Sequence, residues 1–94
     1  MKIARKRPGE PWELADVENT LEAMQAEVGG YIEAVPFTAD ACIVVNEEGL
    51  ILGLPYNVNF AGLRLYGTVL LVGVAGDEFC DVPLTERGLR VLPK

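Results

Sequence analysis

The sequence predicts an α+β fold in which an antiparallel, strongly curved sheet of five or six short strands packs against one main helix. Three observations point that way. Short apolar or alternating runs at residues 31–35, 41–45 and 68–74 are bounded by glycine, proline and asparagine, the usual punctuation of an antiparallel sheet. Only the stretch 20–28 combines a helical start signal, helical apolar spacing and a glycine stop. Glycines at 53, 62, 67, 73 and 76 supply bends that would curl the sheet toward a partial barrel. With 94 residues the chain is expected to form one domain, residues 1–94, because two would leave neither with a workable core. Half of its residues are apolar and 23% are charged, which excludes a disordered chain of low hydrophobicity.

The elements follow in order. Residues 1–7 have a weak period of two, with Ile3, Arg5 and Arg7 on one side and Lys2, Ala4 and Lys6 on the other. The spacing predicts an edge strand whose cations oppose edge-to-edge pairing. Pro8, Gly9, Glu10 and Pro11 make a turn. Trp12, Leu14 and Asp16, alternating with Glu13, Ala15 and Val17, form the return strand of a hairpin. The spacing of Leu14, Val17, Leu21, Met24 and Val28 would also fit one long helix, but Asn19 followed by Glu22 has the spacing of a capping box and places a fresh start before Leu21. The helix then spans residues 20–28, buries Leu21, Met24 and Val28, and ends at Gly29.

Tyr31 to Val35 reads as a strand stopped by Pro36, and Ala41 to Val45 as a wholly apolar strand for the sheet centre. Asn46, Glu47, Glu48 and Gly49 have the residues of a type I hairpin turn leading into a strand of Leu50, Ile51 and Leu52. Residues 53–67 are the least regular stretch, long for a connection in so small a domain, and loops of that kind are disproportionately functional. Thr68 to Val74 is the clearest strand, followed by a turn at Gly76 and Asp77 and a strand from Glu78 to Val82. Pro83 stops it, and Thr85 can cap a short final helix over residues 86–92, weakened by Gly88.

Charge is unevenly laid out. The net charge is −6, yet Lys2, Arg5, Lys6 and Arg7 fall in the first seven residues, and the other cations, Arg64, Arg87, Arg90 and Lys94, in the last third. No Lys or Arg occurs between Pro8 and Leu63, where ten acids lie, from Glu10 to Glu48. A net negative protein repels a phosphate backbone at long range, so nucleic-acid binding is disfavoured unless the basic ends converge. The acidic stretch serves as a solvated surface or as a docking surface for a basic partner.

The composition also narrows the chemistry. Histidine is absent, removing the commonest general base and the commonest zinc nitrogen ligand. Cys42 lies in an apolar strand and Cys80 beside Asp81, so neither is placed as an activated nucleophile. Glu47 with Glu48, and Asp77, Glu78 and Asp81, lack the spacing of an EF-hand loop, and no metal is expected. Gly29 and Gly30 follow a helix, whereas a phosphate loop precedes one. The apolar run from Val69 to Ala75 is far shorter than the ~20 residues of a membrane span. Two cysteines and no secretion signal predict a reduced, cytoplasmic protein.

The run Leu21, Glu22, Ala23, Met24, Gln25, then Val28, Gly29, Gly30, Tyr31, Ile32, Glu33, resembles the start of a bacterial, phage and mobile-element family known as domain of unknown function 3846. Asn46, Glu47, Glu48, Gly49, followed by Gly53, Leu54, Pro55 and Asn57, resembles its middle segment. Gly67, Thr68 and the strand ending at Val72 and Gly73 resemble the next part, with Asp77, Glu78 and Phe79 after it. One departure is Val58, where the family often has an arginine; a ligand role for that arginine would be lost or altered here. The resemblance implies a small α+β fold and no established activity.

The expected function is therefore that of a small, acidic, non-enzymatic accessory or protein-interaction protein, with no cofactor. Its candidate partner-binding residues are Tyr56, Asn57, Phe60, Arg64 and Tyr66, since aromatic and arginine side chains dominate interaction hot spots, although they could equally close the open end of the core. The alternatives are a nucleic-acid-binding module using the basic N-terminal strand and the loop 54–66, and an acidic mimic that inhibits a DNA enzyme. An edge strand and an apolar content of 50% suit a homodimer and a monomer alike.

Overall fold

The computed structural model describes residues 1–94. Its strands are β1 (Lys2–Lys6), β2 (Glu13–Asp16), β3 (Ile32–Thr38), β4 (Ala41–Asn46), β5 (Tyr56–Phe60), β6 (Leu63–Tyr66), β7 (Val69–Ala75) and β8 (Glu78–Cys80). One helix, α1 (Leu21–Val28), lies between β2 and β3, and a 3₁₀ turn (Gly88–Val91) lies near the C-terminus. Six strands form an antiparallel sheet in the order β2-β1-β7-β4-β3, with β8 paired to β7; β5 and β6 form a separate two-stranded sheet. The larger sheet is open, with β2 and β3 at its ends, so the curl anticipated from the glycines does not close it.

The central strands are apolar on both sides because both faces of the sheet are covered. Ile3, Cys42, Val44, Leu70 and Val72 point to the face packed by Met24 and Val28 of α1. Their chain neighbours Ala4, Ile43, Val45, Val69 and Leu71 point to the other face. There they meet Val58, Phe60 and Leu65 of the β5–β6 hairpin, Trp12, and Val82, Leu89 and Leu92 of the C-terminal segment. Each side chain removed from water at this level contributes roughly 1.5–3 kcal/mol. Three layers result, helix, sheet and hairpin with C-terminal segment, and β4, buried along its whole length, runs through the middle one.

Several local expectations are corrected. β1 is an interior strand, paired by β2 on one side and β7 on the other, because both neighbours supply a register match to its short run. Two of its cations, Arg5 and Lys6, are engaged by side chains within the domain and do not guard an edge. Thr20, and not Asn19, caps α1: its Oγ1 accepts from the Ala23 amide at 3.1 Å, while Asn19 Nδ2 donates to the Phe79 carbonyl at 2.9 Å. The helix has one buried stripe, Met24 and Val28, and leaves Leu21 exposed at its first turn. Gly29 ends it in the left-handed region, φ 81°, as expected.

β3 continues through Pro36 to Thr38, since an edge strand tolerates a residue without an N–H, and the register is irregular immediately afterwards. Residues 50–52 are not a strand. Hydrogen bonds from the amides of Leu52, Gly53 and Leu54 to the carbonyls of Glu48, Leu50 and Gly49 wind the chain into a tight turn. The stretch expected to be irregular, 53–67, holds the β5–β6 hairpin instead. Its turn puts Ala61 at φ 52° and Gly62 at φ 84°, the paired positive angles of a type I′ turn, which residue-type signals alone did not mark. β8 stops at Cys80, short of Val82. The final helix shortens to the 3₁₀ turn, with Thr85 Oγ1 accepting weakly from Gly88 at 3.4 Å.

Candidate functional site

The five candidate residues on the hairpin divide by face. Tyr56 and Arg64 are exposed and Tyr66 is half-buried, and the three stack together. The two tyrosine rings meet edge to face with centroids 5.8 Å apart, and the Arg64 guanidinium lies 5.3 Å from the Tyr56 centroid. Phe60 faces inward, 1% exposed, with its ring edge to face against both Trp12 and Phe37. It closes the core and is not available to a partner. Asn57 is buried as well, because the register shift between Tyr56 and Val58 turns an extra residue inward. Val58, at the position where an arginine is usual, is buried in the core.

A feature with no distinct signal in the sequence adjoins the exposed face. The turn after β4 presents Leu50, Ile51 and Leu52, which are 69%, 82% and 57% exposed. This turn is held against β6 from below: a Cβ on Gly49 would meet the Tyr66 carbonyl oxygen at 3.0 Å, and Leu54 packs on Gly67. Glu33, Glu47, Leu50, Arg64 and Tyr66 consequently line one shallow depression of about 170 Å³. Three apolar residues in a row after a hairpin-like turn look like a strand in sequence; only the absence of a pairing partner reveals them as a projecting knuckle.

The basic N-terminal residues are engaged elsewhere. Arg5 Nη1 donates to both carboxylate oxygens of Glu27, at 2.9 and 3.0 Å, and Nη2 to Glu13 at 3.3 Å. Burial by itself would lower the Arg5 pKa, but the hydrogen bonds to Glu13 and Glu27 outweigh it and the net direction is upward. Arg7 bonds Glu13 at 3.0 Å. Lys6 lies on the other face of β1, buried, with its ammonium 2.7 Å from Asn57 Oδ1.

Cys42 is buried in the sheet and Cys80 half-buried, and they form no bridge. Burial pushes the Cys42 thiol upward, so it stays protonated where an ordinary thiol would ionise. An alkylating probe at mildly alkaline pH is expected to label Cys80 first and Cys42 only on unfolding, as peptide mapping after a time course would show. The sign for stability follows: above the unfolded thiol's pKa, about 8.5, the native state holds the proton that the unfolded state releases, so this group's contribution falls as pH rises. No cluster of three or more carboxylate or thiol groups is placed to hold a metal ion, and no helix is long and apolar enough to cross a membrane.

Fold and surface together define a small α+β domain, an open antiparallel sheet layered between a helix and a hairpin, with an exposed apolar and aromatic face. The chain belongs to the family described as Domain of unknown function (DUF3846), whose model matches residues 1–89. No curated protein matches the chain, and no solved structure does.

Proposed function

We propose that this protein is a non-enzymatic interaction domain, an accessory protein of bacterial or mobile-element origin, whose docking face is the Leu50–Leu52 knuckle with Tyr56, Arg64 and Tyr66. The observation that carries the reading is the exposure of three consecutive large apolar side chains on a closed turn, at Ile51 as much as 82%. Leaving them in water forgoes burial free energy that a partner would recover. Arginine and tyrosine beside them are the residue types that anchor protein interfaces.

The electrostatics narrow the partner. Glu33, Glu47 and Glu48 are exposed around the face and only Arg64 opposes them, which favours a protein presenting an apolar anchor flanked by lysine or arginine. The nucleic-acid reading is less well supported, since Arg5 and Arg7 are paired with acids of the same chain and Lys6 is buried.

A photo-crosslinking side chain at position 51, used in the source cells, is expected to trap one protein that the same group at exposed Asp77 does not trap. The purified partner should then bind Ile51→Asp at least ~10-fold more weakly than wild type, with the fold unchanged because Ile51 is 82% exposed. An adduct of twice the chain mass would identify the partner as a second copy. Equal trapping from positions 51 and 77, or undiminished affinity in Ile51→Asp, would overturn the reading.

A further inference from the structure

The largest cavity lies on different residues from the docking face. It is a cleft of about 740 Å³ between the β1–β2 turn, the inward side of β5 and the C-terminal segment. Its walls include Trp12, Leu89, Arg90 and Lys94, and Lys6 and Asn57, only 5% and 6% exposed, form its floor. The volume is that of a small-molecule site, typically ~300–1,000 Å³.

The floor is built around a positive charge. Asn57 Nδ2 donates both of its hydrogens, to the carbonyls of Lys6 and Gly67, each at 2.7 Å. That fixes the amide, so Oδ1 must face the Lys6 ammonium, which it accepts from at 2.7 Å. An ammonium has three N–H donors, and Asn57 takes one. No carboxylate pairs with Lys6, whereas its neighbours do pair, Arg5 with Glu13 and Glu27 and Arg7 with Glu13. The ammonium therefore lines the cleft with donor capacity that no carboxylate of the chain takes up. Arg90 and Lys94 at the rim add two exposed cations; Glu10 and Glu86, also exposed, are the acids that line the cleft. Trp12, 8% exposed, also lines the cleft, its indole N–H anchored on the Pro93 carbonyl at 2.7 Å.

We propose that this cleft binds a small organic anion, with a phosphate or carboxylate head on the Lys6 ammonium and a planar body against Trp12. The head would complete the donors that Asn57 leaves and neutralise the buried charge. The ring would rest on the part of Trp12 that lines the cleft, and Arg90 would close over the head from the rim. The site is independent of the docking face and stands or falls separately from it.

The only tryptophan in the chain is in the cleft, which supplies the readout. Phenyl phosphate and benzoate, titrated into the whole protein to millimolar concentration, are expected to change Trp12 emission saturably, with neutral benzyl alcohol far weaker. The stronger of the two anions identifies the head group. Lys6→Met should abolish the response in a folded protein that melts somewhat lower, because the buried Asn57 Oδ1 loses its donor while a methionine of similar length fills the space. Should that variant fail to fold, Arg90→Ala on the exposed rim should still weaken binding by about 3–10-fold with the fold intact. A benzyl alcohol response equal to that of the anions would overturn the proposal, as would no saturable response to either anion or unchanged affinity in both variants.

Discussion

Replacing Gly73 with alanine is expected to unfold the domain or remove more than ~3 kcal/mol of its stability. Gly73 sits in β7 with Ala41 of β4 on one side and Cys80 of β8 on the other. Immediately after Cys80 the chain leaves the sheet and crosses over Gly73, so a Cβ there would stand 2.1 Å from the Asp81 carbonyl oxygen and 2.9 Å from Cys80 Sγ. The nearest atoms are those of the Asp81 backbone carbonyl, which no rotamer change can move aside. The crossing cannot shift cheaply either. Lys2 donates its amide to Asp81 Oδ1 at 2.8 Å, and Val82 donates to the Lys2 carbonyl at 2.8 Å, which ties the crossing segment to β1.

Beyond that tie the chain delivers Val82, Leu89 and Leu92 to the hairpin side of the sheet, so displacing it opens the core and the cleft together. Gly76→Ala is the informative control. Its φ of 62° is one that alanine adopts with strain, but open space surrounds it, and the cost should be about 1 kcal/mol. Chemical denaturation of the two variants checks the order: a Gly73→Ala protein no less stable than Gly76→Ala would mean that the chain does not cross there.

That contrast also marks what the sequence could disclose. Strand β7, the turn at Gly76, the glycine stop of α1 and the return strand β2 were legible because each is set by neighbours along the chain: apolar runs, a positive-φ residue, a period of two. The apolar run of β4, residues 41–45, marks a strand covered on both faces, since no polar side chain there reserves a face for solvent; it lies inside the sheet, between β7 and β3. What failed depended on distant partners. β1 looked like an edge because its cations are useful at edges, yet Arg5 is claimed by Glu27 of α1 and Lys6 by Asn57 of β5, pairings with no local trace.

The β5–β6 hairpin has the sequence of a loop because its turn uses Ala61 where asparagine or glycine would announce it, and Leu50–Leu52 has the sequence of a strand because apolar runs usually find a partner. The candidate site was half legible for the same reason. Residue type pointed to Tyr56, Arg64 and Tyr66 as a group, but the inward direction of Asn57 and Phe60 is decided by a bulge and by the aromatic neighbours they meet.

Phe60→Ala separates those two halves experimentally. Phe60 is 1% exposed and touches Trp12 and Phe37 edge to face, with ring centroids 5.9 and 4.8 Å away. Truncating such a ring removes its transfer free energy and leaves a cavity, typically ~3–5 kcal/mol in total. The two edge-to-face pairs join β5 to the β1–β2 turn and to the edge strand β3, so nothing nearby can collapse into the space without loosening the hairpin from the sheet. In a domain of this size each kcal/mol moves the melting temperature by about 4–8 °C, and the drop should exceed ~10 °C.

Tyr56→Ala, on the exposed side of the same strand, should cost no more than ~1 kcal/mol and leave melting nearly unchanged, because Tyr56 is 47% exposed and its partners Tyr66 and Arg64 are themselves accessible. The pair then discriminates packing from recognition. Phe60→Ala should lose partner trapping only in proportion to the unfolded fraction, while Tyr56→Ala should lose it in a fully folded protein. A Phe60→Ala protein that melts like wild type would return Phe60 to the list of binding residues and place the hairpin's inner face in contact with something other than its own core.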